Sequence, residues 1–68
     1  MTDILIDTAN GVMTLNLNRI DKKNSFTQAM YTACADALAQ ASTDDSVRAV
    51  VLQGHATVFS AGNDIGDF

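Results

Sequence analysis

The chain has 68 residues and a formal net charge of −4, with eight acidic residues against four Lys+Arg and 47% hydrophobic side chains. This length allows one domain at most and a core of marginal size, and the lone cysteine, Cys34, excludes an internal disulfide, while no Cys/His cluster points to zinc. An acidic chain without a basic stripe lacks the surface that neutralises nucleic-acid phosphates, and no apolar run approaches the roughly 18 residues needed to cross a bilayer.

The predicted elements alternate in type. Ile4 to Thr8 reads as a short strand, and Val12 to Asn18 as a second, with Met13, Leu15 and Leu17 on one face. Asn10-Gly11 between them is a strong hairpin signal, because both residue types tolerate the positive φ of a two-residue turn. The polar stretch RIDKKNSFTQ breaks this period. From Thr27 the apolar positions recur as Met30, Ala33, Cys34, Ala37, Leu38 and Ala41, the spacing that lines one face of a helix. Either Ser25, with Gln28 three residues on, or Thr27 can cap that helix. STDDSV ends it, with Asp44-Asp45 as a solvated helix end, and Val47 to Leu52 follows as a β-branched run suited to a strand covered on both faces. The expected order is β-β-α-β and then the start of another helix, an α/β arrangement. A strand covered on both sides needs more partners than one helix supplies, so residues 1–68 are expected to be an incomplete N-terminal segment of one larger domain, poorly folded or aggregated in isolation.

The stretch SAGND is where chemistry is expected. When a strand runs through a glycine into a helix, the first N–H groups have no partner within the helix and favour an anion. Gly62 lets the backbone approach a ligand closely, and the N–H of Asn63 is then placed to face the space above the strand end. Two N–H groups aimed at one carbonyl oxygen form an oxyanion hole. Ordinary capping by Gly62-Asn63-Asp64 is the competing reading of the same three residues.

Taken together, GVMTLNLNRIDKKNSFT followed after one helix by DDSVRAVVLQGHATVFSAGNDI resembles the N-terminal part of the crotonase superfamily, the enoyl-CoA hydratases and isomerases. Leu15-Asn16-Leu17-Asn18-Arg19 resembles the second strand of that family, Asn24-Ser25-Phe26 its Asn-Ala-Leu entry to the first helix, and Phe59 to Ile65 its signature turn. The resemblance implies a spiral of ββα units, assembly as a homo-trimer or hexamer, and an acyl-CoA thioester substrate whose enolate is stabilised. Coenzyme A would enter as part of that substrate, with no permanently bound cofactor. It further implies that the backbone N–H of Asn63 is one oxyanion donor and that a second comes from a glycine-rich turn later in the chain. The loop Ala61, Gly62, Asn63, Asp64, Ile65 and Gly66 would touch CoA through its backbone, and Lys22 and Lys23 would lie near its nucleotide end.

Departures from the family pattern are Ile20, where proline is usual after Asn-Arg, Ala56, in place of the second glycine of Gly-x-Gly, and Gly66, where several members carry lysine. Hydratases and isomerases use glutamates as general acid and base, and this chain has none. Other reactive residues resolve to structure: His55 as a solvent-facing turn residue, Cys34 as a small hydrophobe on the helix stripe, and Asp64 as a capping residue that shapes the site. The N-terminus Met-Thr-Asp-Ile has no basic leader region, so a soluble, cytoplasmic protein with no membrane or nucleic-acid partner is expected. Two functions follow: an enoyl-CoA hydratase/isomerase-type enzyme, with a slight lean to isomerase from the SAGND form, or a non-catalytic fragment serving as a structural or interaction module.

Overall fold

The computed structural model describes residues 2–68. Its first element is a hairpin of β1 (Ile4–Ala9) and β2 (Val12–Leu17), antiparallel with Ile4 opposite Leu17 and Ala9 opposite Val12. Asn10 (φ 53°) and Gly11 (φ 81°) both take the positive φ that this two-residue turn requires. The chain then passes through a 3₁₀ turn at Ile20–Lys22, the helix α1 (Gln28–Ser42) and the strand β3 (Ala49–Gln53). β3 lies parallel to β2, with Leu15 opposite Leu52, so the sheet order is β1-β2-β3 and β2 is central.

Alternation along β2 decides where the core sits. Met13, Leu15 and Leu17 are buried, and they pack with Ile4 and Phe26 against Met30 and Ala37 of α1. Ala33, Cys34, Ala41 and Val47 complete this layer as half-buried neighbours. Burial pushes the Cys34 thiol above its usual pKa, in line with its reading as a small hydrophobe. Leu38, expected on the same stripe, is 49% exposed. It lines a concave surface with Val47, Arg48 and the β3 residues Ala49 and Val50.

α1 is capped by Thr27, whose Oγ1 accepts from the Met30 N–H at 3.1 Å. Ser25 is not the cap, because its hydroxyl oxygen is engaged by the Arg19 guanidinium at 2.9 Å. At the other end Asp44 accepts from both the Ser46 hydroxyl and the Ser46 N–H, bonds that hold its carboxyl below the usual carboxylate range. The expected strand at Val47 to Leu52 begins two residues later than the sequence indicates, at Ala49, because Val47 still belongs to the turn and packs on the core. Every residue of β3 is exposed, because α1 and the hairpin do not cover it. The expected second helix is a single 3₁₀ turn, Ile65–Asp67.

Candidate functional site

Two loops meet beside the start of α1. Residues 19–26 leave β2, residues 54–64 leave β3, and backbone bonds join them: Ala61 N–H to Lys23 C=O at 3.0 Å, Phe26 N–H to Gly62 C=O at 2.7 Å, and Asp64 N–H to Phe26 C=O at 2.8 Å. The last two form a parallel bridge between Phe26 and Asn63. In extended backbone, the groups of a residue point opposite to those of its two neighbours. With Gly62 C=O and Asp64 N–H both directed at Phe26, the Asn63 N–H is directed away from it. That N–H has no acceptor among the described residues.

Gly62 makes this possible. Its φ of +99° is strained for any residue with a side chain, although a Cβ there would meet no neighbouring atom. The requirement is therefore conformational. Gly54 serves differently, since a Cβ at that position would lie 2.6 Å from the Phe59 Cα and hold the two strands of the loop apart.

Asn24 pins the two loops together. It is fully buried and in the left-handed region at φ 56°, which asparagine tolerates better than most residues. Its Oδ1 accepts from the Arg19 N–H at 2.8 Å, its Nδ2 donates to the Phe59 carbonyl at 3.2 Å, and its own carbonyl accepts from the Ser60 hydroxyl at 2.8 Å. Ser60 Oγ in turn accepts from the Gly62 N–H at 3.1 Å. The sequence shows Asn24 as part of a matching motif. It does not show this network, because Phe59 is 35 positions away.

On the far side of Asn63, the Asp64 carboxylate meets the Arg19 guanidinium at 2.8 Å. Arg19 also donates to the carbonyl and hydroxyl oxygens of Ser25. The Arg19 hydrogen bond holds the Asp64 carboxyl below the usual carboxylate range; desolvation is the next largest effect and opposes it, and the Arg19 charge and the N–H groups of Gly66 and Asp67 add smaller lowering effects. Asp64 is thus a poor proton acceptor near neutral pH. It caps the 3₁₀ turn by accepting from the Gly66 N–H at 3.0 Å, the structural role expected of it. Asp67 then reaches α1, accepting from the Gln28 N–H at 2.7 Å, while its carbonyl accepts from Gln28 Nε2. Neither Arg19 nor Asp67 stands out in the sequence as a site residue.

The remaining candidate residues fall around this junction. Ala61, Gly62, Asn63, Ile65 and Gly66 are exposed, with Ile65 88% so, and Asp64 is half-buried. Lys22 and Lys23 are exposed, and the backbone of Lys23 touches Ala61. His55 is exposed, and its Nδ1 accepts from the Thr57 N–H in a local turn. Concave surfaces form elsewhere, one between Asp3, Ile4 and the α1 residues Met30 and Ala33, the other between Leu38, Ala41 and Val50. The junction itself is exposed, with the Asn63 N–H directed away from Phe26.

This arrangement, a loop leaving β3, a left-handed glycine and an outward amide, lies within the stretch that a family model describes. The enoyl-CoA hydratase/isomerase model matches residues 7–68. The chain belongs to that family. It is 42% identical over 67 residues to the 1,2-epoxyphenylacetyl-CoA isomerase of Escherichia coli K12, covering 98% of this chain and 26% of that protein. The enoyl-CoA delta isomerase 2 of Rattus norvegicus is 40% identical over 65 residues, with 96% of this chain and 16% of that protein covered. Among solved structures, that of Pseudomonas aeruginosa OdaA superposes with a TM-score of 0.94 at 43% identity, covering 98% of this chain and 27% of its own. The chain therefore spans about a quarter of the length of such relatives, and its fold is the N-terminal part of the crotonase fold.

Proposed function

We propose that these residues form the first part of the acyl-CoA site of an enoyl-CoA hydratase/isomerase-type enzyme, with the Asn63 N–H donating to the thioester oxygen. The observation that carries this reading is the asymmetry at Asn63: the flanking peptide groups are fixed to Phe26, while its own N–H faces outward without an acceptor among the described residues. A donor held in place before substrate arrives stabilises an enolate oxygen without reorganisation cost. One donor is half of such a site, and the proton-transfer carboxylates are assigned to the remainder of the full chain, one for an isomerase and two for a hydratase. Coenzyme A enters as part of the substrate, its pantetheine along Ala61 to Gly66 and its nucleotide end toward Lys22 and Lys23. The reading extends to a cytoplasmic trimer or hexamer.

Between reactions, we favour double-bond migration slightly. The support is the asparagine after Gly62 and the similarity to the enoyl-CoA delta isomerase 2 of Rattus norvegicus.

The test is a pair of substitutions in the full-length protein. Asn63→Ala keeps the backbone donor and should lose no more than several-fold in turnover, whereas Asn63→Pro deletes the donor and should lose about 10²–10³-fold. The Asn63 N–H makes no internal bond, so its removal costs the fold none, and circular dichroism checks that the turn survives. Equal losses in folded protein would assign the effect to the side chain. Assays with a 3-enoyl-CoA and a 2-enoyl-CoA separate isomerase from hydratase; inertness toward every CoA thioester, with no CoA binding, would leave a structural or interaction module.

A further inference from the structure

The side chain of Asn63 is held as deliberately as its backbone. Its Oδ1 accepts from the Tyr31 hydroxyl at 2.5 Å, across 32 positions of sequence. Tyr31 is 47% exposed on the first turns of α1, where a free phenol would bond to water instead. It is not free to turn, because its ring packs against Phe26 with centroids 4.8 Å apart and meets the Phe68 ring edge-on at 6.1 Å. Phe26 is also the residue whose N–H and C=O grip Gly62 and Asp64. The contacts therefore close a circuit: Phe26 backbone to the peptides on either side of Asn63, Phe26 ring to Tyr31 ring, and Tyr31 hydroxyl to the Asn63 side chain.

We infer that Tyr31 is a positioning residue, which acts through the Asn63 side chain to keep the Asn63 N–H directed outward at the substrate oxygen; this rests on the functional reading above. The peptide that carries the Asn63 N–H is held by one bond, from its Gly62 carbonyl to the Phe26 N–H, and can still tilt about that bond; the left-handed Gly62 on one side makes that motion easy. Fixing the side chain restrains the torsions of residue 63 itself. With its hydroxyl engaged by the Asn63 side chain, the tyrosine acts through that residue, so its loss should affect the transition state more than ground-state binding.

The experiment uses the full-length protein with Tyr31→Phe, Asn63→Ala and the double variant. Tyr31→Phe removes one oxygen from a half-exposed site and leaves the ring packing, so it is expected to fold with an unchanged Tm. Turnover should fall about fivefold, the rate equivalent of one neutral hydrogen bond, with KM for the thioester within about twofold. The double variant should be no slower than Asn63→Ala alone, because both substitutions cut one link. Unchanged turnover in Tyr31→Phe, or additive losses in the double variant of an active enzyme, would overturn the inference and leave the oxyanion reading standing. An activity-independent measurement separates the two further. ¹⁵N relaxation should show an ordered Asn63 amide that loosens in Tyr31→Phe, and an amide equally ordered in both overturns the inference even if the protein turns over no thioester.

Discussion

β2 and β3 lie side by side in parallel register, yet every second residue of β2 is buried while none of β3 is. Leu15 is 1% exposed, and its partner Leu52 is 45% exposed on the same face of the sheet. α1 and the hairpin enclose one and leave the other at the margin. Apolar content therefore states a strand's demand for cover, and topology decides what meets it. Val50, Val51 and Leu52 stay exposed along this edge, with Leu38 of α1 near Val50.

The largest expected effect follows from that edge. The 68-residue chain by itself should self-associate or fold poorly, since β3 offers both an unpaired edge and apolar faces; sedimentation and thermal unfolding check this, and a cooperative monomeric transition would refute it. Within the full-length protein, Leu15→Ala should cost about 3 kcal/mol by opening a cavity between sheet and helix. Leu52→Ala should cost under about 1 kcal/mol if residues 2–68 alone surround it, and as much as Leu15→Ala if the rest of the full-length protein covers β3 as fully as β2. Chemical denaturation of both variants makes the comparison.

The two loops sharpen the same contrast on the polar side. Asn24→Ala strands the Arg19 N–H and the Phe59 carbonyl in a buried position, and should cost about 2 kcal/mol. Gly62→Ala meets no atom but forces a left-handed alanine, so about 1 kcal/mol is expected. The smallest effect concerns acid. The lowered pKa of Asp64 means that its pairing with Arg19 is fully present above the ordinary aspartate range and is lost as the pH falls through the lowered folded value. The stability difference between the parent protein and Asp64→Asn should shrink on acidification through that window, read from urea midpoints at several pH values; a difference that grows instead would contradict the assigned pairing.

How much of this was legible in the sequence depends on how local the cause is. The hairpin was, because Asn10-Gly11 and the alternation of Met13, Leu15 and Leu17 act over a few residues. Gly62 was legible as a place where the backbone turns and can approach a ligand closely, while its left-handed φ was not. After it, Asp64 caps a 3₁₀ turn at Ile65–Asp67, and Asp67 bonds to Gln28. That contact spans 39 positions, and those of Asn24 with Phe59 and Tyr31 with Asn63 span 35 and 32, so no short-range pattern announces them. The motif match at Asn24-Ser25-Phe26 and Phe59 to Ile65 marked both loops without showing why they belong together.

The buried amide of Asn24 also bears on how the molecule breathes. The hairpin closes over a two-residue turn, whereas the junction of the two loops is closed only by contacts more than 30 residues apart in sequence. Because one side chain bonds to both loops, neither can peel away without releasing the other, and they open as a single unit. The amides of Phe26, Ala61 and Asp64 should then exchange with solvent at one common rate, faster than those of β2, so that the junction has a lifetime of its own inside a sheet that stays shut.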